Sequence, residues 1–261
     1  MAILPDEPRG IGQVLDSGFR LYFKSIRSVF LLALIAALIN GAPDYWLYLW
    51  TGGQGLRANP EMLRSLPAGF GLLWLVAWLS WLMLYGAIIL RMYHVGTDTP
   101  VRLGEEIGGG FRALAWMVIA SILVGLVCGI GFVLLVIPGI FLSVSLAFYS
   151  YSILIDRQRA VGGMNHSYRI VRGNWFRTAA VLTVALLIVI AIGFAAGLAE
   201  SLADVFLGMR GHPESRVLIG AILNALLLPL SVALGLAQYE DLKVRKQGGD
   251  LEARIGDAAT A

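Results

Sequence analysis

Charge is what this sequence has least of. Asp, Glu, Lys and Arg supply 14% of its 261 residues, whereas 58% are hydrophobic and the mean hydropathy is +0.76. A soluble domain carries roughly 25% charged and about 45–50% apolar residues. So little polar surface cannot cover a globule in water, and part of the solvent must be lipid. Cysteine is nearly absent as well. Cys128 stands alone inside an apolar run, which excludes an intrachain disulfide or thiolate metal site and leaves a small packing residue. Three histidines, His94, His166 and His212, fall in separate segments without Cys or carboxylate companions at ligand spacing, so no metal and no cofactor is expected. No Gly-x-Ser-x-Gly elbow and no Walker loop occurs, and Gly108-Gly109-Gly110 reads as a flexible connection rather than a phosphate cradle. With no acid, nucleophile or metal set converging, an enzyme is not expected.

The apolar runs themselves are present in force. Crossing about 30 Å of hydrocarbon takes roughly 20 helical residues. Six stretches qualify: 28–50, 69–93, 113–136, 140–155, 176–198 and 216–238. The run from Ala113 to Ile155 is broken only by Ile137-Pro138-Gly139, where proline removes a donor and clashes with the preceding turn, so a tight hairpin is expected there. Pro229 falls in the middle of the sixth span, and Asn40-Gly41-Ala42-Pro43-Asp44 interrupts the first. The apolar run 29–39 follows 28 other residues, too many for the charged region of a signal peptide, and reads as an uncleaved first helix. Central positions of the spans offer only Ser80, Ser121, Thr183 and Asn224, groups that hydrogen-bond between helices, and no proton relay.

Orientation follows from the basic residues. In the six-span reading, sixteen Lys and Arg lie on the side of the N-terminus, and only Arg57, Arg64, Arg210 and Arg216 lie on the other. The positive-inside rule places the sixteen, with both termini, in the cytoplasm. The net charge of +3 and pI near 9.1 are accounted for by this topology, and nucleic acid is not an expected partner.

Three segments on that side look alike: GQVLDSGFR at 12–20, GEEIGGGFR at 104–112 and VGGMNHSYR at 161–169. Each ends in an aromatic residue and Arg, and each leads into a hairpin. In the first, Ile11, Leu15, Phe19, Tyr22 and Ile26 share one helical face and the polar residues the other. In the third, Val161, Met164, Tyr168 and Val171 oppose Asn165, His166, Arg169 and Arg172. An apolar face backed by cations is the pattern of a helix lying in the membrane interface. The glycines 108–110 each cost helix propensity, so the second segment is expected to be shorter or bent. The predicted fold is an all-α membrane protein of six transmembrane helices in three hairpins, each preceded by a cytoplasmic amphipathic elbow (10–27, 101–112 and 160–173). Residues 1–247 form one polytopic domain, followed by a disordered tail, 248–261.

Four runs carry a resemblance. IGQVLDSGFRLYFKS (11–25), VIPGIFLSVSLAFYSYSILID (136–156), MNHSYRIVRGNWFRT (164–178) and QYEDLKVRKQGGDLE (238–252) resemble, in order, segments of bacterial proteins related to the membrane domain of glycerophosphoryl diester phosphodiesterases. The resemblance implies a bacterial inner-membrane location. These motifs are topological. Some such proteins add a soluble phosphodiesterase domain, none is expected here, and no activity carries over.

The basic elbows are the functional lead. Arg20, Lys24, Arg27, Arg112, Arg169, Arg172 and Arg177 are candidate headgroup ligands at the anionic leaflet, each worth about 1 kcal/mol. The expected function is a non-enzymatic, lipid-associated scaffold or partner module, with membrane lipids as partners; another envelope protein or a homo-oligomer stays open. The alternative is a small transporter or lipid carrier with a polar cavity between the hairpins, for which Asn40, Asp44 and Asn224 are the candidate lining. Pro138, Gly139 and Pro229 are assigned structural roles.

Overall fold

In lipid every backbone N–H and C=O must be satisfied within the segment, which leaves helices as the available form for these runs. The computed structural model describes residues 3–51, 66–67, 69–100, 102–206 and 213–260. Among them it contains eight helices and no strand: α1 (Ile11–Trp50), α2 (Gly69–Gly96), α3 (Leu103–Leu134), α4 (Val136–Leu146), α5 (Tyr149–Leu154), α6 (Ala160–Val171), α7 (Trp175–Phe206) and α8 (Pro213–Thr260). Six helical segments are long and apolar enough to cross a membrane, with α4 and α5 together making the fourth. Arg57, Arg64 and Arg210, which enter the orientation argument, lie outside the described residues.

The helices pack in sequence, α1 on α2, α2 on α3, α3 on α4 and α7 on α8, while the most extensive contact joins α1 to α8. Small residues make that contact close, because burial from water supplies no attraction between helices already in lipid. A Cβ on Gly18 of α1 would stand 3.0 Å from the Leu234 Cα of α8. The core then fills with Leu21, Val29, Ala33 and Ala36 of α1, Ile88, Ile89 and Met92 of α2, and Val232, Leu236 and Tyr239 of α8. α7 buries the least of any span, leaving Phe176, Leu186, Leu187, Ile190 and Phe194 exposed.

Three expectations are corrected. The segment 10–27 is no separate elbow, because its helical pattern continues without a break into the first span. The pattern also runs through Pro43. The segment 101–112 is likewise the first part of α3, and the glycines that were to bend it serve as a contact surface (below). The turn between α3 and α4 sits at Leu135, whose backbone is extended, so that Pro138 falls in the first turn of α4, where no helical N–H is required. The last helix, α8, spans Pro213–Thr260 and passes through Pro229.

Gly139 does hold the α3–α4 turn tight, since a Cβ there would overlap the Phe132 ring at 2.5 Å. Between α4 and α5 the chain breaks at Ala147-Phe148. The Ser167 hydroxyl of α6 repairs the break, donating to the Ser145 carbonyl (2.9 Å) and accepting the Phe148 N–H (3.1 Å). α6 thus doubles back along α5 and α4, burying Ala160, Gly163, Ser167 and Ile170 and leaving Val161 and Tyr168 exposed.

Candidate functional site: paired charges and a basic cavity at one end of the bundle

The buried and half-buried carboxylates that carry ion pairs among the described residues gather at one end of the bundle, where residues 3–10, the α2–α3 connection, the α5–α6 connection and the stretch of α8 around Asp241 meet. They form three clusters. In the first, Glu106 of α3 is fully buried and faces α2, where Arg91 Nη1 lies 3.4 Å from both carboxylate oxygens and His94 Nδ1 lies 3.1 Å from one. Arg91 and His94 are three apart on one helix face. Glycine brings the two helices close enough: a Cβ on Gly110 would sit 2.5 Å from the Met83 carbonyl oxygen.

The second cluster surrounds Asp241, also fully buried. It accepts the Arg9 backbone N–H (2.8 Å), Arg177 Nη2 (3.0 Å) and Arg245 Nε (2.9 Å). Both arginines also donate to the Arg9 carbonyl oxygen. The N-terminal segment, α7 and α8 are thereby tied at one carboxylate.

The third cluster centres on Asp156, which accepts Lys243 Nζ (2.8 Å) and the Tyr239 hydroxyl, with His166 Nδ1 at 3.5 Å. Ser152 Oγ lies 3.1 Å from the same ring nitrogen and 3.2 Å from the Tyr239 hydroxyl. Burial pulls the His166 pKa below its ordinary value, with Arg169 and Lys243 acting in the same direction and Asp156 opposing. Ser, His and Asp meet here, but Ser152 and Asp156 share Nδ1. A nucleophile, base and orienting acid need the two different ring nitrogens. Ser152 is also fully buried and its hydroxyl donates to the Phe148 carbonyl. The cluster ties α5, α6 and α8 together and does not expose a nucleophile. His94 and His166 each meet a carboxylate through contacts that sequence spacing does not reveal, and His212 lies outside the described residues.

A cavity of about 690 Å³ opens between α2, α3 and the α5–α6 connection. Its polar lining includes Tyr93, His94, Glu105, Arg112, Arg157 and Gln158, and its apolar wall includes Leu90, Ala113, Trp116 and Ile153. Arg157 holds a left-handed backbone, φ +53°. The Arg159 guanidinium lies over the Trp116 ring at 5.6 Å.

The remaining candidates separate into groups. Arg27, Arg112, Arg169 and Arg172 are exposed. Arg20 is exposed but paired with Asp16 at 2.9 Å, and Lys24 is paired with Asp98, whose carboxyl that bond holds below its ordinary pKa. Arg177 does not face outward: it belongs to the Asp241 cluster, because a buried carboxylate needs neutralising there. Asn40, Asp44 and Asn224 are exposed, and they line neither of the cavities at the charged end. Asn224 spends its amide on the Gly220 carbonyl (2.9 Å).

Six membrane-length apolar helices, with charge confined to the ends, make this a multi-pass helical membrane protein. The chain belongs to a family defined by a domain of unknown function (DUF7847), matched over residues 73–239, well over half its length and including every residue that lines the cavity. No curated protein and no solved structure matches it.

Proposed function

We propose that this is a non-enzymatic protein of the bacterial cytoplasmic membrane, a lipid-associated scaffold or partner module with both termini in the cytoplasm. The observation that carries this reading is the division of charge at the basic end. Glu106, Asp156 and Asp241 are each matched by cations of their own, while Arg27, Arg112, Arg157, Arg169 and Arg172 are exposed and make no ion pair or side-chain hydrogen bond among the described residues. Cations left over at a lipid surface gain about 1 kcal/mol each from an anionic leaflet. A kinship with the phosphodiesterase-associated membrane domains belongs to the same reading, with α6 as the one interfacial elbow that stands as a separate helix. The carrier alternative draws no support from Asn40, Asp44 and Asn224, which face outward.

The test is lipid retention by the purified full chain. Mass spectrometry after gentle extraction should find anionic phospholipid enriched over the bulk membrane, and Arg27→Gln, Arg169→Gln and Arg172→Gln together should cut that enrichment several-fold. Enrichment identical in the triple variant would remove the basic surface as the basis of lipid association.

A further inference from the structure

The cavity between α2, α3 and the α5–α6 connection differs from the rest of the basic end in one respect: its charges are uncommitted and of both signs. Arg112, Arg157 and Glu105 line it, are exposed to its mouth, and make no side-chain hydrogen bond or ion pair among the described residues. The neighbouring Glu106, one residue along α3, turns the other way and is fully satisfied. Glu105 does complement the positive end of α3, a role worth a few tenths of a kcal/mol up to about 1 kcal/mol. That role gives no reason for two free arginines to converge on the same space.

The register of α3 orders the lining. Glu105, Gly109, Arg112, Ala113 and Trp116 recur at helical spacing, so they run down one face from the helix start. From Glu105 to Arg112 the axial step is about 10 Å, and from Arg112 to Trp116 about 6 Å more. Side chains lean toward a helix's N-terminus, which here is the mouth, so the Arg112 guanidinium reaches back to the level between. Across the cavity, Leu90 precedes His94 by about one turn of α2, and Ile153 of α5 precedes Arg157 and Gln158 of the α5–α6 connection, so apolar and polar lining separate along both walls. Along α3 the lining runs anion, cation, indole, with the Arg157 cation supplied from the opposite wall.

Reasoning within the lipid-associated reading above, we infer that this cavity is a binding site for an aminophospholipid, entered from the cytoplasmic leaflet. The terminal ammonium pairs with Glu105, the phosphodiester with Arg112 and Arg157, and the first part of an acyl chain lies along Trp116, Ala113 and Leu90. The order ammonium, phosphate, hydrocarbon is that of the lipid itself, and a ligand of purely anionic headgroup leaves Glu105 opposed to it. The volume lies within the range of about 300–1,000 Å³ usual for small-molecule sites. Gly109 lets the apolar wall close on α3, since a Cβ there would meet the Leu90 side chain at 2.6 Å.

The experiment uses the full chain in nanodiscs of equal parts phosphatidylethanolamine and phosphatidylglycerol, with the lipid held through a delipidating wash identified by mass spectrometry. Wild type should hold phosphatidylethanolamine in preference. Arg112→Gln with Arg157→Gln should lower its retention about tenfold, and Arg112→Lys with Arg157→Lys should restore most of it, which separates charge from folding. Glu105→Gln should keep the total but shift the preference toward phosphatidylglycerol. The triple variant at Arg27, Arg169 and Arg172 should leave this lipid in place. Unchanged retention in the Arg112/Arg157 variant overturns the site; if the triple variant alone loses lipid, the surface reading stands without it. Unchanged preference in Glu105→Gln overturns the ammonium assignment. Displacement by soluble phosphoethanolamine as effectively as by lipid makes the ligand a soluble phosphate ester and overturns the lipid.

Discussion

Arg157 occupies a left-handed backbone conformation at the mouth of the basic cavity. For an L residue with a Cβ that conformation costs roughly 1–2 kcal/mol, and such strain persists where the surroundings demand it. Asp98 shares the same φ, but its short side chain suits that region and is held by Lys24. Arg157 has no bond of that kind. Replacing Arg157 with glycine should therefore raise thermal stability, by about 1 kcal/mol, while weakening lipid retention. A melting curve and the retention assay on one preparation check both halves; a variant that melts lower shows that the arginine supports the fold. His166 gives a second prediction at this scale. Burial holds it neutral in the folded state below its ordinary value of 6.5. In that window the unfolded chain binds the extra proton, so stability falls as pH drops through it. His166→Gln should flatten the loss of melting temperature as the pH falls through and below the ordinary histidine value of 6.5. Parallel loss in variant and wild type would assign the acid sensitivity to other groups.

At the scale of elements, the six apolar runs were legible because hydropathy over twenty residues is a strong signal that packing cannot reverse. Their ends were not. Residues 11–27 carry an amphipathic pattern with cations, and so does a surface helix, but helical periodicity alone does not say whether one helix stops where the next begins. The glycines 108–110 misled for a related reason. Propensity counts a glycine against a helix, whereas here Gly110 admits the Met83 carbonyl and lets α2 and α3 close on Glu106. Gly108 meets nothing within 4 Å. The two positions make a controlled pair. Gly108→Ala should be neutral or stabilise α3 by up to about 1 kcal/mol, the gain in helix propensity. Gly110→Ala must push the helices apart and should destabilise by more than that gain, measured as unfolding in mild detergent. Equal effects at the two sites would mean that the α2–α3 contact is looser than described. The charge clusters were illegible for a different reason: Arg9 and Asp241 are 232 residues apart, and no local pattern links them.

At the scale of the whole molecule, two buried carboxylates, Glu106 and Asp241, and the half-buried Asp156 stand with their cations at one end, and exposed apolar side chains cover the spans between. A buried pair does not by itself favour the fold, but removing one partner leaves a charge stranded and costs about 3–5 kcal/mol. In the six-span reading of the sequence that end also carries sixteen of the twenty basic residues, which is why the orientation argument and the packing argument concern the same surface. In the reading proposed above, positive-inside bias puts that surface in the cytoplasm. Cysteine accessibility tests the assignment. In a Cys128→Ser background, Gly104→Cys places a thiol at the clustered end, on an exposed position with open space around it. Pro67→Cys places one on the exposed approach to α2, at the other end of that helix. In intact cells a membrane-impermeant maleimide should label position 67 and spare position 104 until the membrane is opened. The reverse pattern would put the basic cavity on the outer leaflet and end the cytoplasmic reading, leaving the charge clusters as packing devices. Labelling at both positions would mean dual insertion, which a bias of sixteen to four opposes.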